Sequence, residues 1–491
     1  MSFVALAGVS AVERPGASDS SISVVAAASA AAAGNVVITA NTGAIVTASN
    51  AWTYSEPSEI QTVSPNHGQY GTKVEITGSS LLGGGSSLAL VTLAGVTASD
   101  VQVHSPTFVS FRARLSAATA PGDITLVSDT GAIVTKLNAW TYDLPSNITS
   151  VSPANGQEGT IITIQGNTLY GKDANTLYGK DAAAGITSVK VANIPASVLS
   201  FSSTRVVVEA ANSSIAQTGS VVVEAVSGAL TVASNGSQYL TPSVISTVSP
   251  NNGRLGTRVT ISGLRLRGGG ASVSFVSLAG INATISTQTD SQVVVVAGDG
   301  LPSVGDVLVI TNTGARTLLR DGFSYGNASI IDSIAPTSGQ RGTRVTISGR
   351  LLRGGGSSVS SVTLAGVPAS IQTETDSSVV VLAGASSGAA VGDVVTVSDI
   401  GATTTLRNGW TYNVAGSISS VVPSSGQEGT LITISGTNLR GSGTSITRVA
   451  ICGIAVTSGT RQTHLQSSLP APVPRANRPA ASFSPRTPMP P

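Results

Sequence analysis

A long internal repeat limits what this chain can fold into more than any other feature. The stretch Ile330–Tyr412 returns, with changes, along nearly the whole sequence. Five prolines, Pro65, Pro153, Pro250, Pro336 and Pro423, open successive units at spacings of 88, 97, 86 and 87 residues. Five tyrosines, Tyr54, Tyr142, Tyr239, Tyr325 and Tyr412, close units at the same four spacings. The one long unit contains NTLYGKDA twice in succession, at Asn167–Ala174 and Asn175–Ala182, which accounts for most of its excess. This period is too long for helical solenoids or leucine-rich repeats. It suits one small domain per unit, so the chain reads as beads on a string. Short linkers predict a semi-rigid rod.

Residues 1–56 match the second part of a unit: Ser2–Val9 parallels Ser274–Ile281. Four complete units follow at 58–145, 147–242 (with the duplicated loop), 243–328 and 329–415. Residues 417–456 match the first part of another. The last 34 residues, 458–491, hold 8 of the 22 prolines and read as a disordered tail. Met1 thus falls inside a unit, and no basic and apolar leader precedes it. The expectation is a fragment, with any signal peptide and anchor outside it.

Within a unit the pattern is that of short strands. In 243–328, Val259 and Ile261 alternate with Arg258 and Thr260, as on a half-buried strand. Val293–Ala297 is a continuous apolar run, as expected deep in a sandwich. Gly, Asn and Pro clusters separate about seven such segments at 8–12-residue spacings, which predicts a Greek-key sandwich. The fold class is therefore all-β, a tandem array of immunoglobulin-like sandwiches. The closing aromatics, Trp52/Tyr54, Trp140/Tyr142, Phe323/Tyr325 and Trp410/Tyr412, are spaced to share one strand face and are expected to pack in the core, with a sugar-stacking platform as the weaker alternative.

Composition removes several functions. Hydrophobic residues make up 41% and charged residues 10% of the chain, which is not a disordered balance. A formal charge of +2 offers no basic field for nucleic acid. No run of about 20 apolar residues is present to span a membrane. A single cysteine, Cys452, excludes a disulfide framework within the chain.

The repeated phrase Pro-x-x-Gly-x-x-Gly-Thr-x-Val/Ile-x-Ile-x-Gly stands at Pro65–Gly78, Pro153–Gly166, Pro250–Gly263, Pro336–Gly349 and Pro423–Gly436. With the Leu-Ala-Gly phrase that follows it, this resembles the IPT/TIG domain family. The resemblance implies an immunoglobulin-like module rather than an activity. The family occurs in ectodomains of plexins, the hepatocyte growth factor receptor and fibrocystin-like proteins, in microbial surface proteins, and in Rel-type transcription factors. Long tandem arrays resemble the surface members. The cysteine-rich modules between copies in plexin-type arrays are missing here.

Chemistry-bearing residues are few. His67, His104 and His464 have no counterparts in the other units, so no catalytic or metal role is assigned. Cys452, in place of the alanine of Leu364-Ala365-Gly366, reads as a small buried hydrophobe. The loops Gly83–Gly85, Gly268–Gly270 and Gly354–Gly356 lack the Gly-Lys-Ser/Thr of a phosphate loop and read as loop tips. Asp123, Asp129, Asp306, Asp393 and Asp399 recur before the closing strands. Calcium bridging needs more converging acids, so they read as solvated turn residues. No catalytic, cofactor or metal site is expected. Five sequons, at Asn147, Asn212, Asn235, Asn282 and Asn327, are candidate N-glycosylation acceptors.

The functional expectation is a non-enzymatic extracellular or cell-surface repeat protein, serving as spacer, adhesion region or receptor ectodomain. It would bind a protein or glycan ligand through loops that vary between units. The alternatives are a carbohydrate-binding or accessory region of a larger secreted enzyme, and an intracellular transcription-factor-type protein. The missing basic region and the many copies argue against the last.

Overall fold

A computed structural model of the chain describes residues 3–170, 185–456, 462–463 and 466–470. The NTLYGKDA duplication falls largely outside them, as does His464. Every element among the described residues is a strand or turn. The chain divides into two compact units, one of Met1–Val244, Arg265–Ser274 and Ile310–Thr317, the other of Ile245–Leu264, Phe275–Val309 and Leu318–Pro491.

The repeat at 329–415, in the second unit, shows the fold most plainly. Its strands are β1 (Ile330–Ala335), β2 (Ser338–Gly339), β3 (Arg344–Arg350), β4 (Val359–Leu364), β5 (Val367–Glu374), β6 (Ser378–Leu382), β7 (Ala390–Ser398) and β8 (Thr403–Tyr412). Their order is β1-β3-β6-β5-β4-β7-β8-β2. β5 closes the sandwich by belonging to both sheets. Its first residues pair with β4, Val367 opposite Leu364, and its later residues pair with β6, Glu374 opposite Val379. β2 runs parallel to β8, with Gly339 opposite Tyr412.

Alternation places Val345 and Ile347 of β3, Val379 and Val381 of β6, Val362 and Leu364 of β4 and Val394 of β7 between the sheets. Burial of these apolar faces drives the two sheets together. β1 breaks strict alternation: Ile331 and Ile334, three apart, both face inward. A bulge between Ile331 and Ser333 allows this. Opposite the bulge stands Gly349, where a Cβ would lie 2.2 Å from Ile330 O. The last glycine of the repeated phrase is therefore a steric requirement. Trp410 and Tyr412 point into the core and meet edge to face, their ring centroids 5.5 Å apart. Trp140 with Tyr142, and Phe323 with Tyr325, repeat this contact.

In the first unit, 147–242 uses the same order: Asn147–Ser152, Ile161–Asn167, Arg205–Glu209, Ile194–Phe201, Ile186–Val191, Gln217–Ala225, Leu230–Tyr239, Asn155–Gly156. In 58–145 the two sheets are separate, with five and four strands. Residues 3–54 form a single five-stranded sheet whose final hairpin ends on Trp52 and Tyr54.

Two expectations need correction. Gln466–Pro470 is not structureless tail: it pairs antiparallel with Leu431–Thr437, Leu431 opposite Pro470, in the position β6 holds beside β3. The prolines of this stretch hid the strand, but Pro470 ends it, where a missing amide is tolerated. Cys452 is exposed rather than buried. In the complete repeats a glycine of the penultimate strand crosses directly over the equivalent alanine. At Gly392 a Cβ would stand 2.8 Å from Ala365 Cα. Among the described residues the Val449–Ile451/Ile454–Val456 hairpin carrying Cys452 is a two-stranded sheet without that covering strand.

Candidate functional site

Among the described residues, His67, His104, Cys452 and the recurring acids are not grouped into a reactive centre. His67 Nδ1 lies 2.7 Å from Asp143 Oδ2. His104 Nε2 lies 2.9 Å from Ser110 Oγ, and its ring stacks on Phe108. Among the described residues no three His, Cys, Asp or Glu side chains are grouped to hold a metal ion.

The acids are more than solvated turn residues. Asp393 Oδ1 accepts the amide of Asn408 at 2.7 Å; Asp123 and Asp306 do the same for Asn138 and Asp321. Those three donor amides belong to residues with φ near +50° inside the last strand, so the carboxylate holds a strained bulge in place. Asp399 and Asp129 bind the Gly-rich loops. The amide of Ser357 donates to Asp399 at 3.1 Å and its hydroxyl donates to the same carboxylate. Ser86 does likewise for Asp129. These serine hydrogen bonds hold both carboxyls below the ordinary carboxylate range.

The glycine-rich loops, in turn, are not free tips. Leu351–Gly356 winds through two successive turns, closed by Gly354 N to Leu351 O and Gly356 N to Arg353 O. Gly354 is buried, and a Cβ there would stand 2.6 Å from Ala402 Cβ. The glycines let the loop lie down on the hairpin between β7 and β8.

What recurs with the chain's own period is a seam between repeats. The second glycine of the phrase, in Gly-Thr, lies against the glycine of the final hairpin turn of the next repeat. In the first unit, Lys73 N donates to Ser227 O at 3.0 Å and Leu230 N to Tyr70 O at 2.8 Å, with Gly71 against Gly228 between them. Ile161 N to Thr313 O and Arg316 N to Glu158 O, at 2.8 and 2.9 Å, repeat the bridge around Gly159 and Gly314. In the second unit, Arg258 N to Ile400 O and Thr403 N to Leu255 O, at 2.8 and 3.0 Å, repeat it around Gly256 and Gly401. A Cβ at Gly71, Gly159 or Gly256 would stand 2.7–2.8 Å from the partner glycine's carbonyl oxygen, and all three have φ between +82° and +86°.

A side-chain clasp accompanies the bridge. The residue after the first glycine of the phrase reaches the linker that follows its repeat. Gln69 Oε1 accepts the amide of Ser146 at 2.7 Å, and Gln157 Oε1 that of Ser243 at 2.9 Å. Gln340 Oε1 accepts the amide of Gly416 at 2.7 Å. At the remaining repeat the residue is Arg254, whose guanidinium donates to Ser329 Oγ at 2.6 Å. Burial lowers the affinity of Arg254 for its proton, against the opposing field of Asp376. The linker serines are fixed from the other side too: Ser146 donates to Thr168 O and Ser329 to Leu351 O, at 2.5 and 2.6 Å. Sequence reading placed these residues in turns and missed the seam. Its signal was the same period in two glycine phrases, Gly-Thr and the hairpin Gly-Ala.

The five sequon asparagines are all exposed. Asn147 opens a strand, Asn282 lies on one, and Asn235 occupies a positive-φ bulge with Ser237 buried beside it. No helix among the described residues is long and apolar enough to cross a membrane.

The IPT/TIG domain family model matches residues 145–239, 243–325, 329–412 and 417–472, together more than half of the chain. Among solved structures, the full extracellular region of plexin A4 aligns at 15% identity with a TM-score of 0.34, covering 84% of this chain and 42% of that one. The first eight immunoglobulin domains of the Down syndrome cell adhesion molecule align at 12% identity, TM-score 0.19, covering 89% and 69%. A Bacteroides ovatus surface glycan-binding protein in complex with a mixed-linkage heptasaccharide aligns at 14%, TM-score 0.16, covering 59% and 74%. The chain spans less than half the length of the plexin A4 region. No curated protein matches it.

Proposed function

The chain belongs to the IPT/TIG domain family, and we propose that it acts as the non-enzymatic repeat region of an extracellular or cell-surface protein: a spacer, adhesion region or receptor ectodomain. The observation that carries this reading is the seam. At three junctions successive repeats are fastened by two backbone hydrogen bonds and a glycine-on-glycine contact, with a side-chain clasp on the linker. A polar side chain such as Gln157 is buried only where its hydrogen bonds are met. Such investment in the junctions suits a protein that holds modules at set positions and presents their variable loops to a protein or glycan ligand. The exposure of all five sequon asparagines supports passage through a glycosylating compartment.

The test is to express the whole chain behind a cleavable secretion signal in a eukaryotic host. The expected result is a folded, secreted protein whose mass falls on treatment with peptide N-glycosidase, with modified Asn147, Asn212, Asn235, Asn282 or Asn327 found by peptide mass spectrometry. Retention and aggregation of unmodified chain, with folded protein obtained only from the cytosol, would overturn the extracellular reading.

A further inference from the structure

The seams share their backbone geometry but not their charges. At the first, Arg112 stands 3.6 Å from Glu224 of the following repeat and also donates to Gly71 O and Gly228 O, at 2.9 and 3.2 Å. At the second the polarity is reversed: Glu209 stands 2.8 Å from Arg316 of the following repeat. Arg112 and Glu209 occupy the same place, the last residue of the strands Phe108–Arg112 and Arg205–Glu209. In the next two repeats that place is held by Val296 and Leu382. The facing positions change in step. Glu224 is replaced by Ile310 and Val397 in the later repeats, and Arg316 stands where Leu230 and Thr403 stand in its neighbours.

We propose that this strand-end position determines which repeat each seam accepts, by setting one charge polarity at the first seam, the opposite at the second and an apolar side chain at the third. The partner it recognises is another repeat of the same family, presenting a glycine-centred hairpin turn of complementary charge. The backbone bridge is the same at all three seams, so it cannot tell one repeat from another. Homologous domains in tandem are prone to docking out of order, within a chain or between copies. Specificity then needs a repulsive element against the wrong partner as well as an attractive one for the right partner. Both are present. The Arg112 face set against the 243–328 repeat would lose Glu224 and meet a face carrying Arg316. The Glu209 face set against a second copy of its own repeat would meet Glu224. This goes beyond the proposed function and holds wherever the chain works.

The pair Glu209–Arg316 offers a clean test. The amides of Ile161 and Arg316 form the bridge at that seam, and those of Lys73 and Leu230 form the first seam and serve as the internal reference. Protection factors would be measured by hydrogen exchange on the whole chain for Glu209→Arg, Arg316→Glu and the double variant. Each single reversal is expected to speed exchange at Ile161 and residue 316 by about three- to ten-fold, the range for a partly exposed pair turned from attraction to repulsion. The first seam and the core amides of Ile162 and Val208 should be unchanged. The double reversal should return the seam to within about twofold of the parent. Singles with no effect, or a double as fast as the singles, would overturn the proposal. Should a reversal disturb the core amides, the neutral variants Glu209→Gln and Arg316→Gln replace it. A double loss no greater than either single supports the coupling, and additive losses overturn it.

Discussion

The side-chain oxygen of Gln157 accepts the backbone amide of Ser243, 86 residues further along, at 2.9 Å. Gln157 is 3% exposed, so truncation to alanine leaves that linker amide without its acceptor. The cost of an unmet buried group is about 1–3 kcal/mol. Gln157→Ala should therefore lower the protection of the Ser243 amide by roughly ten- to a hundred-fold. The amides of Ile162 and Ile164, deep in the repeat, should keep theirs. Measured by hydrogen exchange, an unchanged Ser243 amide would show that the clasp contributes nothing to holding the linker.

The seam glycines make a graded prediction. Gly71, Gly159, Gly256 and Gly342 all have φ near +84°, a conformation that costs an alanine about 1–2 kcal/mol. Only Gly342 has open space where the Cβ would go; at Gly71 the new atom would meet Leu230 Cγ at 2.5 Å and Gly228 O at 2.8 Å. Gly342→Ala should show the conformational cost alone. Gly71→Ala should add an opening of the first seam, read as faster exchange at Lys73 and Leu230. Equal effects at the two sites, with no change at those amides, would remove the close approach as the reason for the glycine.

Burial pushes the phenol of Tyr142 up to about 12. Its folded value lies above that of the unfolded chain, near 10, so the folded state keeps a proton that the unfolded state gives up. The stability this contributes is fully present below pH 10 and is lost as pH rises from 10 through 12. The loss amounts to about 2–3 kcal/mol. Tyr239, Tyr325 and Tyr412 are raised in the same direction by burial, so the whole-chain curve is shared. The Tyr142 share is isolated by subtracting a Tyr142→Phe variant, followed by the fluorescence of buried Trp140 during urea unfolding at pH 9 and pH 11.5. The difference should fall with pH; a flat difference would refute the assignment.

The sandwich was legible because its determinants are local. Val345 and Ile347 announce a strand face within four residues, and Trp410 and Tyr412 share a side because a strand has a period of two. The seam was illegible because its members are local to nothing. Gly71 and Gly228 are 157 residues apart, and each phrase reads, correctly but incompletely, as a turn. Asp399 looked like a solvated acid because its partner Ser357 sits in a loop that turn chemistry alone would leave projecting. Cys452 looked buried because its phrase was borrowed from repeats in which a further strand covers that alanine. In each case the contacts were decided by a segment that the local pattern does not contain.

The closing aromatics give a prediction that natural variation among the repeats already frames. Trp410 is fully buried and meets Tyr412 edge to face; at the same place the preceding repeat has Phe323, in the same contact with Tyr325. The indole Nε1 of Trp410 has no hydrogen-bond partner, so replacing the ring with phenyl breaks no polar contact and leaves only a small void. Trp410→Phe should cost less than about 1.5 kcal/mol, whereas Trp410→Ala, which empties the core end of 329–415, should cost about 3–5 kcal/mol. The amides of Val345, Ile347, Val379 and Val381 lie between paired strands of that repeat. Their exchange requires the repeat to open, so their slowest rates report its own stability within the whole chain. The phenylalanine variant should leave them slow and the alanine variant should speed them by more than a hundred-fold. Comparable rates for the two variants would mean that the aromatic pair is not what holds the two sheets together at the closing end.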